Sequence, residues 1–124
     1  MAKTIYNTKV TTLGGQVEDF ISAAKMIILF EESLALPELR DCCVMHVGNQ
    51  VEDTIKVGDI FKIGEEPFEI LAVGSEVQTN LTNLGHITIK FDGGKGEVLE
   101  GSLHVEEAPI PEIAANTEIS IERL

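Results

Sequence analysis

Few side chains in this chain can do covalent chemistry. There are three histidines, His46, His86 and His104, and two adjacent cysteines, Cys42 and Cys43, against 21 aspartates and glutamates in 124 residues. His46 stands in Cys-Cys-Val-Met-His-Val, where apolar neighbours strip an imidazole of water unless it finds a partner or a purpose. Two readings follow from that placement. One is a core histidine satisfied by a single backbone hydrogen bond. The other is a nucleophile: a neutral ring nitrogen near pH 7 can attack an activated phosphorus, and a hydrogen bond to the second nitrogen fixes which one is free. His86 follows Gly85 and begins a strand on its more polar face, so it reads as a solvated edge residue or as a second histidine. In the second role it would orient His46 or donate a hydrogen bond to phosphoryl oxygens. His104, with Ser102 and Glu106 on its own face, reads as a surface or supporting residue.

Other chemistries are poorly served. No two histidines share the spacing of metal ligands on one element, so no metal and no cofactor are expected, although three converging histidines would make a metal-dependent enzyme. The chain has no phosphate loop, no nucleophile elbow and no Cys-x-x-Cys pair. Adjacent cysteines in a strand point to opposite faces, which argues against a mutual disulfide and suits a reducing cytoplasm. Acidic residues are too many for a catalytic pair to be picked out, and most read as a solvated face.

The elements that must hold these residues are short strands broken by glycine. Ile5–Thr12 is rich in β-branched residues and stops at Gly14-Gly15. Val17–Ala24 has helical spacing with Glu18 and Asp19 at its start. Met26–Phe30 reads as a buried strand, Pro37–Asp41 as a helical turn with proline first, and Cys42–Val47, bounded by Gly48-Asn49, as an interior strand with Cys42, Val44 and His46 on one face. Lys56–Ile63 and Phe68–Val73 read as strands around a polar turn. Glu76–Leu84 reads as a short helix stopped by Gly85, and His86–Phe91 as a strand. Asp92-Gly-Gly-Lys-Gly96 reads as a hairpin turn, Val98–Val105 as a strand, and Ile113–Ile121 as a closing helical turn or strand. No internal repeat is visible. The pattern predicts an all-β fold, a small closed or nearly closed antiparallel β-barrel with one or two short helices.

At 13.5 kDa the chain is a single domain, residues 1–124. Its formal net charge of -12 repels a phosphate backbone or an anionic membrane, which disfavours nucleic acid, and would attract a basic protein. Met1–Val10 is no signal peptide, and Met26–Phe30, the longest apolar run, is far shorter than the roughly 20 residues of a membrane span.

Several separated pieces resemble one family. They are Ala72-Val-Gly-Ser75, Asn80-Leu81, Leu84-Gly-His-Ile-Thr88, Phe91-Asp-Gly93, Gly101-Ser-Leu-His-Val105, the Cys-Val-Met-His stretch ending at His46, and Ile5-Tyr-Asn-Thr8. In order and spacing the chain is similar to the glucitol/sorbitol-specific IIA components of the bacterial phosphoenolpyruvate-dependent sugar phosphotransferase system. The resemblance implies a cytoplasmic β-barrel carrier, a phosphotransferase component that is not a complete enzyme alone. It would take a phosphoryl group from the histidine-containing phosphocarrier protein onto a histidine and pass it to the sugar-specific IIB/IIC membrane components. The family's phosphorylated histidine maps onto His46. Some members read His-x-His-Gly where this chain has His46-Val47-Gly48, one residue and one imidazole fewer, which makes His86 the competitor. The contrasting class is a non-catalytic acidic β-barrel binding module in which His46 is packing.

Overall fold

A computed structural model describes residues 3–48 and 50–124; the expected turn residue Asn49 lies outside the described residues. Eight strands close into a barrel: β1 (Lys3–Leu13), β2 (Met26–Glu31), β3 (Val44–Val47), β4 (Ile60–Ile63), β5 (Glu66–Val73), β6 (Ile87–Lys90), β7 (Ser102–Val105) and β8 (Glu118–Arg123). Their order around the barrel is β1-β3-β2-β6-β7-β5-β4-β8, returning to β1. Two helices, α1 (Val17–Ala24) and α2 (Val77–Leu84), and a 3-10 helix (Pro37–Cys42) complete the described elements. Among the described residues no helix is long and apolar enough to cross a membrane.

The barrel is mixed rather than antiparallel throughout, because β2 pairs with β3, and β6 with β7, in parallel. That corrects the reading of Asp92–Gly96. Parallel neighbours need a crossover, so this glycine cluster begins a connection from β6 to β7 and is no hairpin turn. Gly93 and Gly94 take positive φ there, and their cluster is tied by the Gly94 and Gly96 N–H groups donating to the Asp92 carboxylate at 2.9 and 3.1 Å. Cys42 belongs to the 3-10 helix, not to the strand, because Pro37 starts that helix and Cys43 N–H still donates to Arg40 O at 3.3 Å.

The two halves repeat one another, a duplication the sequence reading passed over. Gly14 and Gly74, Val17 and Val77, Ile21 and Leu81, and Ile27 and Ile87 stand sixty residues apart at matching places in β1-α1-β2 and β5-α2-β6. Gly14 N–H donates to Cys43 O and Gln16 N–H to Asp41 O; in the second half Gly74 N–H donates to Ser102 O and Glu76 N–H to Glu100 O. The β1–β3 and β5–β7 pairings also slip at the same place, between Val10 and Thr12 and between Ile70 and Ala72. Only a handful of identities survive, too few for the repeat to show in the sequence.

Alternation packs the inward side chains into one core that includes Ile5, Leu29, Phe61, Ile70, Ile89 and Leu103. Phe91 anchors it edge-on to Phe68 at 4.9 Å and to Phe61 at 6.3 Å between ring centres.

Candidate functional site

His46 lies near the end of β3, opposite Val10 of β1 and Glu31 of β2. It points inward, and its relative exposure is 0%. Tyr6 and Thr8, two residues apart, share the inward face of β1 and reach the same imidazole nitrogen. Thr8 Oγ1 lies 3.0 Å and Tyr6 Oη 3.4 Å from His46 Nδ1. On the other side Nε2 sits 2.7 Å from Gly85 O. A carbonyl only accepts, so in this arrangement Nε2 carries a proton and donates it. Burial is the largest influence on this ring and pulls its pKa below the ordinary histidine value, offset in part by the Gly85 carbonyl and the Glu31 carboxylate. The imidazole is therefore neutral at pH 7. Burial likewise pushes the Tyr6 phenol above its usual range, so it stays protonated.

Gly85 earns its place twice. It closes α2 in the left-handed conformation, at φ 61°, and a Cβ there would meet Glu31 Cβ and His46 Cε1, each at 2.8 Å. One glycine peptide thus lies directly against the ring, between the exposed Leu84 and the half-buried His86.

His86 is placed differently from the expected solvated edge residue. Its ring stacks on Phe30, with centres 4.3 Å apart, and its Nδ1–H donates to Leu29 O at 3.0 Å. With that tautomer fixed, Nε2 holds the lone pair and has no partner among the described residues. Leu29 and Glu31 belong to the same short strand, so β2 gathers His86 and His46 at one corner of the barrel.

His104 is neither on the surface nor beside the other two. It is fully buried, and its Nδ1 lies 2.9 Å from the carboxylate of Asp92, which gathers the Gly94 and Gly96 N–H groups. The expected strand alternation failed here because β7 is covered on both faces, all four of its residues being buried. Among the described residues no three His, Cys, Asp or Glu side chains come together as a metal-binding group. Cys43 is buried and its thiol pushed up to about 11, chiefly by burial, so it is inert as a nucleophile.

Tyr6 and Thr8 were not singled out from the sequence as functional. The signal was there in Ile5-Tyr-Asn-Thr8, whose polar hydroxyls alternate onto the face that the apolar residues bury, but only the pairing of β1 with β3 brings them to His46.

Comparison with known proteins decides the family. The model of the PTS system glucitol/sorbitol-specific IIA component matches residues 5–120. The chain belongs to this family. It is 33% identical over 108 residues to the PTS system glucitol/sorbitol-specific EIIA components of Shigella flexneri and of Escherichia coli strain K12, covering 87% of this chain and 85% of each relative. In structure it is similar to the PTS system IIA component from Enterococcus faecalis V583, at a TM-score of 0.80 and 31% identity over 92% of this chain and 97% of that one. As a glucitol/sorbitol-specific IIA component, the chain is a β-barrel member of a sugar phosphotransferase system, and His46 and His86 both meet strand β2, at Glu31 and at Leu29.

Proposed function

We propose that this IIA component carries a phosphoryl group on His46, taking it from the histidine-containing phosphocarrier protein and passing it to the sugar-specific IIB unit for glucitol/sorbitol phosphorylation. The observation that carries the reading is the two-sided grip on a neutral ring, with Nδ1 held by Thr8 and Nε2 against the backbone carbonyl of Gly85. In the transfer, His46 Nε2 attacks phosphorus in line as the bond to the donor's imidazole nitrogen breaks, and that bond's electron pair returns to the donor ring. Nε2 reaches the phosphorus only when the Gly85 carbonyl moves off it and the Nε2 proton has left. Nδ1 takes up a proton in exchange and then carries the neutral ring's single hydrogen. His86, half-buried and with no hydrogen-bond partner for Nε2 among the described residues, is the second imidazole that would hydrogen-bond the incoming phosphoryl oxygens. The exposed apolar side chains of Leu34, Val47 and Leu84 flank this corner in the chain and suit a docking protein.

One observation favours a second reading, with His86 as acceptor: its ring is half-buried and its Nε2 free, whereas His46 is sealed in the resting state. Incubation with phosphoenolpyruvate, enzyme I and the phosphocarrier, followed by mapping of acid-labile phosphate, separates the two. His46→Ala should abolish the label and His86→Ala should slow its arrival. Label that survives in His46→Ala and vanishes in His86→Ala transfers the acceptor role to His86.

A further inference from the structure

The corner around His46 contains more acceptors than a neutral ring can serve. Thr8 Oγ1–H donates to Val47 O in a close contact, and Tyr6 Oη–H donates to Gly48 O at 3.1 Å. Each hydroxyl has one proton, and each is drawn to a backbone carbonyl that can only accept. What Thr8 then offers to His46 Nδ1, 3.0 Å away, is an oxygen lone pair, which calls for a proton on Nδ1. Gly85 O, 2.7 Å from Nε2, calls for a proton there as well. Both demands are met only by the imidazolium, and burial opposes that charge. A neutral ring must therefore choose. With its proton on Nε2 it satisfies Gly85 and makes a hydroxyl abandon its carbonyl. With its proton on Nδ1 it satisfies the Thr8–Val47 chain and leaves a bare Nε2 facing Gly85 O, lone pair to lone pair.

From this conflict we infer that Thr8 is a positioning residue for phosphoryl transfer: its hydroxyl, tied to Val47 O, holds the His46 ring with its proton on Nδ1 and so makes Nε2 the phosphorus-bonding atom. The inference rests on His46 being the acceptor. The same tautomer turns the Gly85 contact repulsive, so fixing the proton on Nδ1 also frees the glycine peptide to move aside. No net proton is transferred with the phosphoryl group: as the contact opens, the proton that Nε2 held passes to solvent and Nδ1 takes one up, so the ring stays neutral and Nδ1 keeps that hydrogen through the transfer.

The test compares Thr8→Val, which keeps shape and loses the oxygen, with Thr8→Ser, which keeps the oxygen. Phosphorylation by enzyme I and the phosphocarrier is followed in time, and the nitrogen-15 shifts of the His46 ring report its tautomer. Thr8→Val should slow the appearance of phosphohistidine by about 100-fold, the usual consequence of a misplaced reacting group, and shift the ring towards the Nε2–H form. Thr8→Ser should restore both. A Thr8→Val protein that is phosphorylated at the wild-type rate, while His46→Ala takes no label, overturns the role of Thr8 and leaves His46 as acceptor. Label persisting in His46→Ala overturns the acceptor assignment itself. Should Thr8→Val fail to fold, the wild-type phosphoprotein decides. A slowly exchanging Nδ1–H showing a nuclear Overhauser contact to Thr8 supports the inference, and phosphorus attached to Nδ1 refutes it.

Discussion

At the scale of single residues, burial gives His46 a predictable influence on stability. Its folded-state pKa lies below the ordinary 6.5 because the interior disfavours charge. The unfolded chain therefore takes up the proton first as pH falls, and stability that is intact above about 6.5 declines below it. Denaturant midpoints measured from about pH 7.5 down to about pH 5 should fall for the wild type, and the slope should flatten in His46→Gln. Gly85→Ala meets two obstacles at one position: the left-handed conformation costs about 1–2 kcal/mol for a residue with a Cβ, and the methyl strikes Glu31 and the His46 ring. Its melting temperature should drop, and its phosphorylation should fall more than the folded fraction does, because the ring itself is displaced. A phosphorylation rate that simply tracks the folded fraction would detach Gly85 from the site.

Among elements, the repeated turn after β1 and β5 makes a symmetrical prediction. A Cβ on Gly14 would lie 2.2 Å from Arg40 O, and one on Gly74 would lie 2.2 Å from Leu99 O, both backbone atoms that cannot step aside. Gly14→Ala and Gly74→Ala should each lower the melting temperature strongly and by similar amounts. Gly15→Ala, with nothing within 4 Å of the added carbon, should leave it nearly unchanged. The seam of β4 and β8 depends on a different device. Arg123 grips the buried Asp59 carboxylate through Nε and Nη2 at 2.9 and 3.0 Å, and also reaches Asp53 at 3.3 Å. Burial alone would raise the Asp59 pKa, but Arg123 and the Lys56 N–H outweigh it and hold the carboxyl below its usual value. Asp53, bound mainly by Lys3, is lowered to about 2. Depressed carboxyls support the fold above their unfolded pKa of about 3.9 and cease to do so as pH falls through their folded values. Acid unfolding should therefore steepen below about pH 4, and Arg123→Ala should shift that transition to higher pH as followed by circular dichroism.

For the whole molecule, charge is the dominant fact. A net charge of -12 creates a long-range field that draws a basic partner surface and is weakened by salt. The rate of phosphoryl acceptance from the phosphocarrier at limiting concentrations should fall as ionic strength rises, while the maximal rate at saturation stays nearly constant. A bimolecular rate indifferent to salt would leave the acidic surface without a part in docking. The same surface opposes free phosphate, which suits a carrier loaded by a protein rather than one that collects the anion from solution.

Much of this was legible in the linear chain because it depends on local rules. Alternation of apolar residues marked β6, helical spacing with early acids marked α1, and a glycine in the stop position marked the end of α2; each is decided within about ten neighbouring residues. His46 stood out for the same reason, as a polar ring among apolar neighbours. Strand partners are another matter, since hydrogen bonding between distant segments leaves no local mark. Only the closed barrel made β2–β3 and β6–β7 parallel, revealed the repeat, buried His104 against Asp92, and brought Tyr6, Thr8 and Gly85 onto the two nitrogens of one ring. The sequence by itself determined which side chains were available for chemistry and the periods on which they sit. The tertiary structure decided which nitrogen each partner faces, because that depends on contacts between residues up to forty positions apart.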